Sequence, residues 1–324
     1  MPDGVRRKLV LVLVCAVGAL VASGAALAGN GGFAPLSPAS PNAENTRTAY
    51  LVILGFTGAI FLIVETILLV FIVKYRRGTR PRTADGAQVH GHTRLEVIWT
   101  VIPVLILLVI GLVIFYELPK IHDAPAATNP IDVTVQGHQY YWQFTYPNGA
   151  ISINDLHAPV GQVVDLDVVS ADVIHSWWIP ELGGKIQAIP GRTNKLWFQA
   201  TRQGTFVGQC AELCGVFHAK MTASVVVTDQ AGYETFINST AKSVLGKSEY
   251  QGVCATCHGM QGQGGYGPKI SNNPLLTQQA GLEALVREGR GNMPPVGNTW
   301  TQEQMSALYD YVSKNIYKGA SSGG

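Results

Sequence analysis

A chain of 324 residues is long enough for two or three structural units. It is 47% hydrophobic and only 14% charged, well below the roughly 25% charged residues of an ordinary soluble domain, so part of its apolar content is expected to face membrane lipid. The formal net charge is +2 and no long basic stripe carries interleaved aromatics, which excludes the electrostatic footprint of a nucleic-acid binder.

The N-terminus has a basic start at Arg6, Arg7 and Lys8, an apolar run, and Ala26-Leu27-Ala28 before Gly29. This pattern predicts a secretory signal peptide over residues 1–28, with a retained membrane anchor as the rival reading. Residues 29–47, rich in Gly, Pro, Ser and Asn, are expected to form an extracytoplasmic lead-in. Two apolar runs follow, Tyr50 to Val73 and Val97 to Leu118, each close to the roughly 20 residues that span a bilayer. They predict a transmembrane hairpin over residues 48–120, with helices near 48–74 and 96–118. Lys74, Arg76, Arg77, Arg80, Arg82 and Arg94 sit between them and place the loop on the cytoplasmic side, so both ends face outward. Glu65 interrupts the first span and Glu96 stands at the cytoplasmic start of the second. Intramembrane carboxylates are costly, so Glu65 is expected to face a protein partner or stay protonated, and the bland reading, a buried structural hydrogen-bonder, is the favoured one for it.

From residue 128 to 230 the texture changes to short alternating runs, IDVTVQ, VVDLDVVS, KLWFQA and ASVVVTD, punctuated by Gly, Pro and Asn. Period-two alternation predicts an extracytoplasmic β-sandwich or barrel. Residues 231–244 are expected to be a linker. Residues 245–318 carry helical spacing in LEALVREG and QEQMSALYDYVSKNI, and residues 319–324 form a flexible tail. The expected fold class is therefore multi-domain: a two-helix membrane hairpin, a β-sandwich or barrel, and a small all-α module.

Five cysteines divide unevenly. Cys15 would leave with the signal peptide, whereas Cys210, Cys214, Cys254 and Cys257 form two close pairs, each followed by a histidine. That arrangement favours metal or haem chemistry over a disulfide framework, which stays open as the alternative in an extracytoplasmic region. In GQCAELCGVFHAKM, the spacing Cys210, Cys214, His218, Met221 supplies two thiolates, an imidazole and a thioether from one segment. Soft sulfur with imidazole suits copper or zinc, and methionine shifts the choice to copper. Two thiolates can bridge two copper ions, and His175 in VIHSWWIP is the best candidate for the second imidazole. A packed core histidine beside tryptophans is the bland reading of that residue.

His175, Cys210, Glu212, Cys214, His218 and Met221, together with the preceding hairpin, closely resemble cytochrome c oxidase subunit II over roughly residues 45 to 230. The resemblance implies a cupredoxin-like domain holding a dinuclear CuA centre. Cys210 and Cys214 would bridge the two coppers, one histidine would bind each, and Met221 and the Glu212 carbonyl would complete the set. It also implies a magnesium ion on the Glu212 side chain at the boundary with subunit I, and a proton-pathway mouth at Glu96. Two positions depart from the family. Tyr140 stands where the family has the tryptophan that receives electrons from soluble cytochrome c, and Gln187 replaces a carboxylate.

Cys254-Ala-Thr-Cys257-His258 is the C-x-x-C-H attachment sequence of c-type haem, in which the thiols bond the haem and the histidine becomes an axial ligand. A redox dithiol or a zinc pair is the alternative. Residues 245–318 resemble small class I cytochromes c of bacteria, and Met293, in the Pro-rich loop GNMPPVG, fits best as the sixth ligand. Met260 is too near the attachment site, and Met305 has the spacing of a core residue.

Together these features predict subunit II of a haem-copper cytochrome c oxidase in a bacterial cell membrane. Electrons from a donor such as cytochrome c or a cytochrome bc complex would pass through covalent haem c to CuA and on to subunit I, where O2 is reduced with proton translocation. No catalytic residue is expected on this chain. The alternatives are a CuA-containing subunit of a nitric oxide reductase and a membrane-tethered electron carrier without a catalytic partner.

Overall fold

A computed structural model describes residues 36–75, 88, 90–126 and 129–319. The expected signal peptide, the start of the lead-in, Arg76, Arg77, Arg80 and Arg82 of the basic loop, and residues 320–324 of the tail lie outside the described residues. The chain divides into two compact units, one built on residues 44–121 and the other on residues 37–43 with 122–324.

The first unit consists of two helices long and apolar enough to cross a membrane, α1 (Pro41–Tyr75) and α2 (Thr93–His122). Both run past the apolar stretches that predict them, because a helix of 30 residues is about 45 Å long and the hydrocarbon core only about 30 Å thick. α2 starts on a reciprocal cap. His92 Nδ1 accepts from Leu95 N at 3.2 Å, and Glu96 Oε1 accepts from His92 N at 3.1 Å. Glu96 thus has a local task, quenching orphan amides at a helix N-terminus where negative charge is favoured.

The second unit begins with a β-sandwich. Its larger sheet has the order β3-β2-β1-β5-β8, with β1 (Ile131–His138), β2 (Tyr141–Thr145), β3 (Ile151–Ile153), β5 (Val163–Ser170) and β8 (Asn194–Gln199). The smaller sheet has the order β4-β10-β9, from β4 (Asp155–Pro159), β9 (Gly204–Gln209) and β10 (Thr222–Thr228). A short antiparallel pair, β6 (His175–Trp177) and β7 (Ile186–Ala188), stands beside them. The alternation read from the sequence sets the core. Val133 and Val135 of β1, Val164 and Leu166 of β5, and Val225 and Val227 of β10 point inward into one cluster with Trp142, Phe144 and Trp177. The lead-in residues join this body: Ala39 N bonds Glu181 O at 2.7 Å and Thr201 N bonds Ala39 O at 2.9 Å.

The expected linker, residues 231–244, is helix. Asp229 caps it through a bond from Gly232 N at 2.8 Å, and the helical run continues without a break from Gln230 to His258. It comprises α3 (Gln230–Thr235), a π turn Phe236–Thr240, α4 (Ala241–Glu249), a second π turn Tyr250–Cys254 and α5 (Ala255–His258). After loops, α6 (Gln279–Glu288) and α7 (Gln302–Asn315) follow, the latter opened by a capping box between Thr301 and Gln304. Tyr250, Leu282, Val286, Trp300, Met305 and Leu308 form the core of this region, and Tyr141 of β2 is buried in the same cluster.

α4 crosses α7 at Gly246, where a Cβ would collide with the carbonyl oxygen of Ala307. Alanine normally improves a helix over glycine by roughly 0.5–1 kcal/mol. Gly246→Ala is expected to do the reverse and destabilise the region by roughly 1–3 kcal/mol, read as a lowered thermal midpoint of the helical signal.

Candidate functional site

A single hairpin supplies most of the expected metal ligands. β9 and β10 pair through Gln209 and Thr222, and one further backbone bond, Cys210 N to Met221 O at 2.9 Å, closes the base of the loop between them. Inside the loop a 3-10 turn, His218–Lys220, brings His218 and Met221 to the side of the thiols. Gly215 has φ +131, and a Cβ there would lie 2.5 Å from the Tyr140 hydroxyl, so the turn requires glycine. His175 enters from β6, held by its pairing with Ala188 of β7.

The side chains converge as two similar halves. The Cys210 and Cys214 sulfurs are 4.0 Å apart and unbonded. On the Cys210 side, His175 Nδ1 lies 3.9 Å and the Glu212 carbonyl oxygen 3.2 Å from Sγ. On the Cys214 side, His218 Nδ1 lies 3.6 Å and Met221 Sδ 3.7 Å from Sγ. Each half therefore offers one sulfur, one imidazole nitrogen and one weak ligand atom, a donor set suited to soft metal ions. The ligand atoms of His175, Cys210 and Cys214 all lie within 4.8 Å of one another, and His175, Cys210, Cys214 and Met221 are buried.

Sequence reasoning missed two supports of this cluster. Asp172 Oδ1 lies 2.8 Å from His175 Nε2, which holds the ring proton on that nitrogen and leaves Nδ1 facing the sulfurs. Gln139 Nε2 donates to the Cys214 carbonyl at 2.5 Å and Gln139 N to Asp172 Oδ2 at 2.7 Å, which ties the β1–β2 turn to both the loop and the carboxylate. The one signal available was Asp172 three residues before His175. Gln187, the residue without a carboxylate, donates to Glu212 Oε2 at 3.2 Å.

Burial opposes ionisation of both thiols, but hydrogen bonds from His175 and nearby backbone outweigh it at Cys210 and favour the thiolate there. Cys214 is pushed the other way by burial and by the neighbouring Cys210 charge. A cation between the sulfurs would let both thiols ionise together.

The second site is a cavity of about 720 Å³ in the helical region, within the range of cofactor sites. Cys254, Cys257 and His258 stand in its wall, Met293 lines it too, and much of the remainder is apolar, including Leu282, Val286 and Leu308. His258 Nδ1 lies 2.8 Å from the Pro268 carbonyl, which fixes the proton there and leaves Nε2 available as a ligand. Burial, then the charges of Glu249 and Cys257, push the Cys254 thiol up to about 12. A redox dithiol needs a depressed pKa, and the large, mostly apolar cavity beside these thiols suits a haem better than a dithiol or a zinc pair. Met305 is in the core and Met260 on the surface.

Removing the Asp172 carboxylate should leave the sandwich folded but free the His175 ring. Asp172→Ala is expected to weaken metal retention about 10- to 100-fold in chelator competition. Metal uptake must displace protons from the thiols and from the His175 ring, so affinity should fall as pH falls, with protons released on loading, measured with an indicator dye.

Three family models match this chain. The transmembrane domain of cytochrome c oxidase subunit II matches residues 31–116, its periplasmic domain residues 150–228, and subunit III of cbb3-type cytochrome c oxidase residues 244–312. A cytochrome c oxidase subunit 2 of Alkalihalophilus pseudofirmus is 31% identical over 306 residues, covering 86% of this chain and 89% of its own length. The subunit 2 of Thermostichus vulcanus is 32% identical over 249 residues, covering 61% of this chain and 76% of its own. Among solved structures, the periplasmic domain of subunit II of cytochrome oxidase of Bradyrhizobium japonicum is 34% identical with a TM-score of 0.35, covering 37% of this chain and 96% of that one. The chain belongs to the cytochrome c oxidase subunit 2 family and carries a C-terminal cytochrome c domain.

Proposed function

We propose that this subunit takes electrons from an external donor onto a haem c carried by its own C-terminal domain and passes them by way of a dinuclear copper centre to the oxygen-reducing subunit I, in a proton-translocating oxidase. The single observation that carries this reading is a shared wall. Gln139, Tyr140, Val216 and Phe217, on either side of the candidate copper ligands, line the same cavity as Cys254, Cys257, His258 and Met293.

In this reading Cys210, Cys214, His175, His218, Met221 and the Glu212 carbonyl would hold the two coppers. Cys254 and Cys257 would bond the haem, and His258 and Met293 would ligate its iron. When bound, these groups supply one-electron redox chemistry, with methionine ligation raising the haem potential. The protein's own part is to hold the two sites close and dry. Tyr140 Oη accepts from Val216 N at 3.2 Å, Tyr140 packs edge-to-face on Phe217 with centroids 5.4 Å apart, and Phe217 packs likewise on Tyr266 at 4.8 Å. Tyr140, at the position where the family has its electron-receiving tryptophan, therefore faces the cytochrome c domain. That placement supports delivery from within the polypeptide. The half-buried Glu212 side chain is the group for magnesium at the boundary with subunit I, Glu96 for a proton-pathway mouth. Both redox domains would lie on the extracytoplasmic side of a bacterial membrane.

Copper removal or loss of a haem thiol separates the steps. In the assembled oxidase, Cys254→Ala is expected to slow reduction of the copper centre by cytochrome c at least about tenfold while its paramagnetic spectrum, one electron shared by two coppers, stays intact. Unchanged reduction, or a mononuclear copper signal in the parent protein, would overturn the proposal.

A further inference from the structure

The methionine loop of the cytochrome c domain is held partly by its own bonds, among them Val296 N to Pro294 O at 2.9 Å, and partly from outside the domain. Met293 is tied locally by a two-way backbone exchange with Arg290, N to O at 3.0 Å in each direction. The far end is held where Gly297 N reaches Val286 O at 3.0 Å and Arg287 Nη1 reaches Trp300 O at 2.8 Å. Between these anchors stand Pro294 and Pro295, which have no amide hydrogen to give. The carbonyl of Val296, the next residue, accepts at 2.8 Å from the hydroxyl of Tyr141, a residue of β2 in the sandwich. Among the described residues no other donor reaches that carbonyl.

Tyr141 is well set for such a task. Its side chain is fully buried, and its oxygen accepts from Trp300 Nε1 at 2.8 Å while donating to Val296, so both roles of the hydroxyl are used. The ring lies edge-on to Trp300 and flat against His138, with centroids 4.5 Å apart and planes 8° from parallel. The phenol is thereby fixed in position and direction before it meets the loop.

We propose that Tyr141 is a positioning residue for the haem's sixth ligand: through the Val296 carbonyl, the copper-binding domain holds the Met293 loop of the cytochrome c domain in its ligating place. The inference rests on the reading above, in which Met293 binds the iron of a haem in this cavity. A second cross-domain contact allows a control. Gln304 Nε2 donates to Gln143 Oε1 at 3.0 Å in the same buried seam, but touches no part of the Met293 loop.

The test uses the full-length subunit in its complex, with Tyr141→Phe, Trp300→Phe and Gln143→Leu compared with the parent. The readouts are the methionine-to-iron charge-transfer band, the haem c potential, displacement of Met293 by imidazole, and amide exchange over residues 293–297. Tyr141→Phe is expected to weaken the band, lower the potential, raise amide exchange and make Met293 roughly fivefold easier to displace, the factor set by one ordinary hydrogen bond. Trp300→Phe, which leaves the bond to Val296, should move these in the same direction by less, and Gln143→Leu should leave them as in the parent. The copper spectrum should not change in any of the three. If Tyr141→Phe and Trp300→Phe both match the parent, or if Gln143→Leu shifts the band as much as Tyr141→Phe, the positioning role is refuted. Absence of covalent haem or of the methionine band in the parent would instead refute the reading on which it rests.

Discussion

The closure of one hairpin governs the candidate copper site. β9 and β10 must stay paired up to the bond between Cys210 N and Met221 O, because that bond fixes both ends of a loop carrying two thiols, an imidazole and a thioether. Soft ligands gathered this densely repel one another when ionised and gain nothing from water once buried. The sandwich must therefore supply the order that the loop lacks by itself. It does so from three directions: β6 brings His175, the turn after β5 brings Asp172 to orient it, and the β1–β2 turn brings Gln139 to the Cys214 carbonyl. The result is a cluster whose ligands are each fixed by the sandwich around them.

Much of this was legible in the sequence for definite reasons. Bilayer spans need unbroken apolar runs, and α1 and α2 show them. A half-buried strand needs alternation, and β1, β5 and β10 show it. Metal and haem attachment fix residue types at fixed spacings, so the two cysteine motifs could be read without a structure. The helix over residues 231–244 was hidden by its own irregularity. Tyr233 and Phe236 are three apart, but the next buried position, Ala241, comes five later, across a π turn, before Leu245 resumes the ordinary step. A template of period 3.6 loses register there. Gln139 and Tyr141 were invisible for another reason, since their value comes from partners far off in the chain, whereas Asp172 left one signal in its place three residues before His175.

The three consecutive residues Tyr140, Tyr141 and Trp142 show how the sandwich and the cytochrome c domain come to act as one body. Trp142 turns into the sandwich core against Trp177, Tyr141 turns out into the core of the helical region, and Tyr140 lines the cavity beside Phe217. Strand alternation sends Tyr141 and Trp142 to opposite faces. The face of β2 that carries Tyr141 is thus half of an interior. Buried hydrogen bonds cross that interior, Tyr141 to Val296 and Trp300 and Gln304 to Gln143, which gives the seam directional contacts instead of a greasy contact that could slide.

The helical run from Gln230 to His258 adds a constraint of a different kind. Because it is unbroken, the segment joining the two domains acts as a ruler with an angular scale. Each residue inserted would advance the Cys254 and Cys257 thiols about 1.5 Å and turn them about 100° around the helix axis, swinging the haem attachment away from the copper loop. Flexible connectors tolerate changes of length, but this one does not, except in steps near a whole turn. Natural variation in this segment should therefore fall into discrete lengths.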